Sequence, residues 1–65
     1  MNVAQNIKRI RESKGMTQEQ LAQALGMTHS AISLIESDKR GLNVKKADKI
    51  AAALGVTLND LMREG

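Results

Sequence analysis

The sequence contains no cysteine, no proline and no aromatic residue, and it has a single histidine. Without cysteine there is no disulfide framework, no thiolate ligand and no thiol nucleophile. One histidine leaves too few nitrogen ligands for a protein-built zinc or iron site, so no metal and no other cofactor is expected. An oxidising compartment is not needed. Long apolar runs are missing too. The longest, Ile50 to Leu54, is far short of the about 20 residues that span a bilayer, and the N-terminus lacks the apolar core of a signal peptide. These absences point to a soluble cytoplasmic protein with no membrane partner. They also leave Ile, Leu, Val, Met and Ala to fill every core position.

What is present is short and basic. The 65 residues fit one domain spanning 1–65, with ten Lys and Arg against seven Asp and Glu and a pI near 9.7. A chain of this size buries only about 60% of the surface its unfolded form exposes, which leaves little room for a catalytic cavity. No catalytic carboxylate pair, nucleophile with a nearby base, phosphate-binding loop or metal cluster is evident, so binding is expected and an enzyme is not. The charge runs in blocks: +3 over residues 1–15, −3 over 16–38, +4 from Lys39 to Lys46 and −1 over the remainder. Two cationic blocks around an anionic one suit an anionic partner, although solvated basic faces give the same count.

Glycines at 15, 26, 41 and 55 punctuate five helical segments. In the first, Val3, Ile7 and Ile10 share one face. The second opens with Thr17 and Gln20 at capping-box spacing and runs through Leu21, Ala22 and Leu25 to Gly26. Thr28 caps the third, which carries Ile32 and Ile35 inward as far as Ser37 and Asp38. Asn43 caps the fourth, whose Val44, Ala47, Ile50, Ala51 and Leu54 line one face. Thr57 and Asp60 start the fifth, with Leu58, Leu61 and Met62 at helical spacing and a frayed Arg63, Glu64 and Gly65. Strand alternation is absent, so the chain is read as all-α. The joint between the second and third helices, Gly26 and Met27, suits the steep crossing of a helix-turn-helix rather than an antiparallel hairpin.

The third helix carries the functional signal. Its outward face, which holds His29, Ser30, Ser33, Leu34 and Ser37, is short, polar and uncharged apart from one leucine. An ordinary solvent face in so charged a chain would hold Lys and Glu. Small hydrogen-bonding side chains instead let a helix axis come close to another molecule, as a DNA major groove about 12 Å wide requires.

The residues from Thr17 to Glu36, TQEQLAQALGMTHSAISLIE, resemble the phage repressor and Cro type of helix-turn-helix, also called the xenobiotic-response-element family. The resemblance rests on Thr17-Gln18, Leu21-Ala22, Leu25-Gly26, Thr28, Ile32, Ile35 and Glu36. It extends through IAAALGVTLNDLM, Ile50 to Met62, which is similar to that family's closing pair of helices. The resemblance implies a compact five-helix repressor-like domain that binds double-stranded DNA through its second and third helices. It implies a phosphate contact from the Gln18 amide, a cap and phosphate contact from Thr28, and base reading by His29, Ser30 and Ser33. Lys39 and Arg40 fall where the family sets a loop against the DNA backbone, with Lys45 and Lys46 just beyond.

Arg11 and Glu36 correspond to a partly buried ion pair that joins the first helix to the third in the family. The family's dimer contact falls near Leu58 and Met62, residues that equally suit the core. Two positions depart from the pattern. Leu34 stands where a polar reading residue is usual, and meets a thymine methyl, packs on a partner protein or is simply an exposed leucine. Asp38 stands where glycine is common and would repel DNA unless turned away.

The expected function is a sequence-specific transcriptional regulator, a phage or prokaryotic repressor. It would bind a palindromic operator as a homodimer, formed in solution or only on DNA. An antitoxin or a restriction-modification controller would use the same contact. A helical protein-interaction module anchored on Leu34 and Met27 is the alternative of a different class.

Overall fold

The structure, a computed structural model, describes residues 3–39 and 41–63. Five helices follow one another: α1 (Val3–Ser13), α2 (Gln18–Leu25), α3 (His29–Glu36), α4 (Val44–Leu54) and α5 (Leu58–Met62). No strand occurs among the described residues, as expected.

Local chemistry sets most of the boundaries. Thr17 is extended, and its Oγ1 accepts the Gln20 N–H at 3.0 Å while Gln20 Oε1 accepts the Thr17 N–H at 2.8 Å. Two of the orphan donors at the start of α2 are thereby satisfied. Thr57 and Asp60 repeat the box with a carboxylate, at 3.1 and 3.0 Å. The Thr57 backbone N–H, and after it the Thr57 hydroxyl, hold the Asp60 carboxyl below its ordinary value of 3.8. Thr28 and Asn43 cap α3 and α4 by accepting the N–H of Ala31 at 3.1 Å and of Lys46 at 2.7 Å.

Helix ends follow the expected glycines, except once. Gly26 adopts φ 66° after α2, with Met27 N–H donating to Ala22 O at 2.8 Å, so the chain turns sharply within the two residues before Thr28. After α3 the left-handed residue is Asp38, φ 63°, with Lys39 N–H donating to Leu34 O at 2.9 Å and Asp38 N–H to Ile35 O at 3.1 Å. Gly41, expected to divide the third and fourth helices, lies beyond the turn that ends α3. Asp38 makes that turn, which gives a physical reason for glycine being common there in the family.

Ile7, Leu21, Ile32, Ile35, Ile50 and Leu61, drawn from all five helices, are fully buried together. Truncating any one to Ala should remove about 2–5 kcal/mol. Ala22, Ala47 and Ala51 are buried between them, and their small side chains let α2 pack against α3 and α4. Val44 departs from its expected place. Helical spacing puts it in line with Ala47, yet it is 64% exposed against 4% for Ala47, because it stands at the edge of an open hollow with Leu42, Leu58 and Met62.

The C-terminal end is held by a residue that periodicity does not single out. Asn6 is buried on α1 and donates from Nδ2 to Leu61 O and Arg63 O, both at 2.8 Å. Arg63 is therefore tied rather than frayed, and its guanidinium lies 3.6 Å from Asp60. Glu64 and Gly65 lie outside the described residues.

Candidate nucleic-acid interface

Helix α3 buries Ala31, Ile32, Ile35 and Glu36 and turns His29, Ser30, Leu34 and Ser37 to solvent, with Ser33 half-buried between. None of the five residues expected on the outer face is packed into the core. Eight helical residues extend about 12 Å, close to the width of a major groove. Leu34 is 37% exposed, and Ser37 Oγ donates to Leu34 O at 3.2 Å.

Beneath this face lies a buried polar network. Arg11 Nε and NH2 donate to the two carboxylate oxygens of Glu36 at 2.7 and 3.1 Å, a bidentate fork joining α1 to α3. Arg11 NH1 also donates to Met16 O at 2.6 Å, which pins the α1–α2 connection. Both partners are largely shielded from water, at 7% and 8% exposure. The hydrogen bond to Glu36 raises the Arg11 pKa further, so the guanidinium stays charged.

Gln18 completes the network, donating from Nε2 to Glu36 Oε1 at 3.0 Å. A carboxylate only accepts, so this bond fixes which way the amide points and leaves Oε1 and one N–H for other partners. Gln18 was expected at the phosphate backbone. The structure adds that its orientation is set by the same ion pair that joins the helices.

Gln18 also sits between two depressions. One, of about 190 Å³, is lined by Lys8, Gln18, Ser33, Glu36 and Ser37. The other, of about 540 Å³, brings His29 beside Arg11, Thr17, Gln18 and Glu19 at the start of α2. Lys8 is exposed on α1 and comes to the edge of α3. It is a cation that motif reading passed over. The signal was present, since Lys8 precedes Arg11 by three residues and so shares its helix face.

At the other end of α3, Lys39 is exposed, Lys45 is exposed and Lys46 is half-buried on the first turn of α4. Arg40 lies outside the described residues. Thr28 is exposed, with Oγ1 engaged in its cap. Leu58 is half-buried against the core, whereas Met62 is 39% exposed, so the two residues expected at a dimer contact differ in availability. Among the described residues no group of His, Asp and Glu could hold a metal ion, and no helix is long and apolar enough to cross a membrane.

Comparison with known proteins gives this geometry its relatives. The HTH_3 helix-turn-helix family matches residues 7–61. The transcriptional regulator PuuR of Escherichia coli is 34% identical over 58 residues, which are 89% of this chain and 31% of PuuR. The immunity repressor of Bacillus phage phi105 is 33% identical over 64 residues, 98% of this chain and 44% of the repressor. The chain thus spans about a third to under half of these two curated relatives. Among solved structures, the restriction-modification controller protein C.Esp1396I superposes with a TM-score of 0.82 at 34% identity, covering 98% of this chain and 91% of that one. The same controller has also been solved as a nucleoprotein complex. With the capped joint at Gly26 and Met27, the buried Arg11–Glu36 tie and the family match over residues 7–61, the chain belongs to the helix-turn-helix family of phage-repressor and Cro type.

Proposed function

We propose that the chain is a sequence-specific double-stranded DNA-binding transcriptional regulator that lays α3 in the major groove. The observation that carries this reading is the exposed, uncharged face of α3 held between cationic flanks. His29, Ser30, Ser33 and Leu34 meet base edges, with Ser37 at the far end of the same face. Gln18, through the amide positioned by Glu36 and the unsatisfied N–H groups at the start of α2, grips a phosphate on one side. Thr28, Lys39, Arg40, Lys45 and Lys46 contact the backbone elsewhere, and Lys8 adds a cation beside Ser33 and Ser37.

One α3 covers only a few base pairs, so specificity requires two copies on a two-fold operator with half-sites about one DNA turn, roughly 34 Å, apart. The surface we assign to the dimer contact is an apolar hollow formed by Val3, Leu42, Val44, Leu58 and Met62. The exposure of Val44 and Met62 supports this assignment. The action is that of a repressor. A controller of a restriction-modification operon is the second reading, favoured by the likeness to C.Esp1396I, which extends over 91% of that chain.

Selection of bound sites from a random duplex pool tests the proposal. A palindromic consensus is the expected result. Recovery of no enriched sequence from the folded protein would overturn it.

A further inference from the structure

A further concave surface shares no residue with the outer face of α3. The end of α2, the turn into α3 and one side of α4 line a half-open hollow of about 240 Å³. Its floor is apolar: Leu25 and Met27 are half-buried and Ile50 is 1% exposed. Its rim is cationic, with Lys45 and Lys46 adjacent on the first turn of α4 and Lys49 one turn further on, and no acidic residue in the lining. Among the described residues none of these three ammonium groups has a carboxylate within 4.0 Å. Three unpaired cations over an apolar floor attract an anion that also has apolar surface to bury.

Size limits the occupant. A cavity of about 150 Å³ takes up benzene, so this one has room for about ten non-hydrogen atoms. The hollow is open on one side, so this volume measures the part of an occupant seated in it, and a medium-chain carboxylate, with an apolar body for the floor and one charge for the rim, fills it. We propose that this hollow is a binding site for a small organic anion with an apolar body and one carboxylate head, the body lying on Leu25, Met27 and Ile50 and the head among the lysines. Lys45 and Lys46 are also assigned above to the DNA backbone. The inference goes beyond that reading and is tested on the free protein, so its failure leaves the DNA contact untouched.

Octanoate, which has ten non-hydrogen atoms by its formula, is the probe, titrated into isotope-labelled protein and followed by NMR. The expected result is a saturable shift at the amides of Leu25, Met27 and Ile50, with affinity at least about tenfold higher than for octan-1-ol or acetate. Lys45→Gln with Lys49→Gln, both exposed and compatible with the fold, should weaken octanoate about tenfold, and Met27→Gln should do the same from the floor. Equal affinity for octan-1-ol would remove the role of charge. Equal affinity for acetate or inorganic phosphate would reduce the hollow to a bare anion contact in which the apolar floor plays no part. Either outcome, or no saturable shift at millimolar octanoate, overturns the proposal.

Discussion

Replacing Glu36 with Leu should bring the fold to the edge of unfolding, and the size of the effect follows from burial. Arg11 is 7% exposed and directs two of its donors at Glu36, so the variant strands a charged guanidinium with only the Met16 carbonyl and the distant Glu12 as partners. An uncompensated buried charge of this kind costs about 3–5 kcal/mol. A domain of 65 residues has a total stability of about 3–10 kcal/mol. Arg11→Met should lose a similar amount, because it leaves the Glu36 carboxylate with Gln18 alone. The double variant Arg11→Met, Glu36→Leu fills the same space with apolar side chains and should return to within about 1 kcal/mol of the parent or exceed it.

Urea denaturation followed by circular dichroism measures all four proteins. A coupling energy of about 2 kcal/mol or more is expected from the cycle. Single variants that each lose less than about 1 kcal/mol, the size for a solvent-exposed pair, would refute the reasoning. The restored double variant then separates stability from recognition. Gln18 has lost the acceptor that orients its amide, so DNA affinity should fall about tenfold even though the fold is intact.

Three further outcomes follow from other contacts. Asn6→Ala removes both donors to the end of α5 and leaves two carbonyls unpaired, so it should cost about 1–3 kcal/mol and abolish hydrogen-exchange protection in α5 before the other helices, as NMR exchange will record. Asp38→Gly relieves a left-handed non-glycine residue and removes a negative charge beside the reading helix; it should stabilise by up to about 1 kcal/mol in urea and bind DNA more tightly in a gel-shift assay, and a loss of stability would contradict the turn described. The Asp60 carboxyl is held below 3.8 in the folded chain, so its contribution to the α5 cap is fully present above that pH and is lost as pH falls through the lower folded value. An NMR titration placing Asp60 at or above 3.8 would contradict the cap.

The fold was legible wherever its cause is local. Thr17 with Gln20, Thr28, Asn43, and Thr57 with Asp60 announce helix starts, because each cap is made within four residues. The inward stripe of Ile32 and Ile35 and the outward stripe of His29, Ser30 and Ser33 follow from helical period alone. What was missed depends on elements far apart in the chain. Asn6 has the composition of any polar helix residue until α5 returns over it, 55 residues later. Val44 has the spacing of a core residue but stands at the edge of an open hollow between helix ends rather than inside the core. Gln18 fitted a phosphate contact by resemblance, but its tie to Glu36 required α2 and α3 to be set against each other. At Asp38 the sequence suggested a misplaced charge, whereas the backbone uses it as a left-handed turn for which glycine is the easier residue.

The central claim is that the uncharged outer face of α3 lies inside duplex DNA. Isotope-filtered NMR on the complex with a selected site tests it directly, because thymine methyl and cytosine H5 protons are found only in the major groove. The expected result is a set of intermolecular contacts from the His29 ring, the Ser33 β-protons and the Leu34 methyl groups to those base protons. Contacts confined to sugar protons, or arising from α4 and α5 while α3 remains in water, would contradict the account.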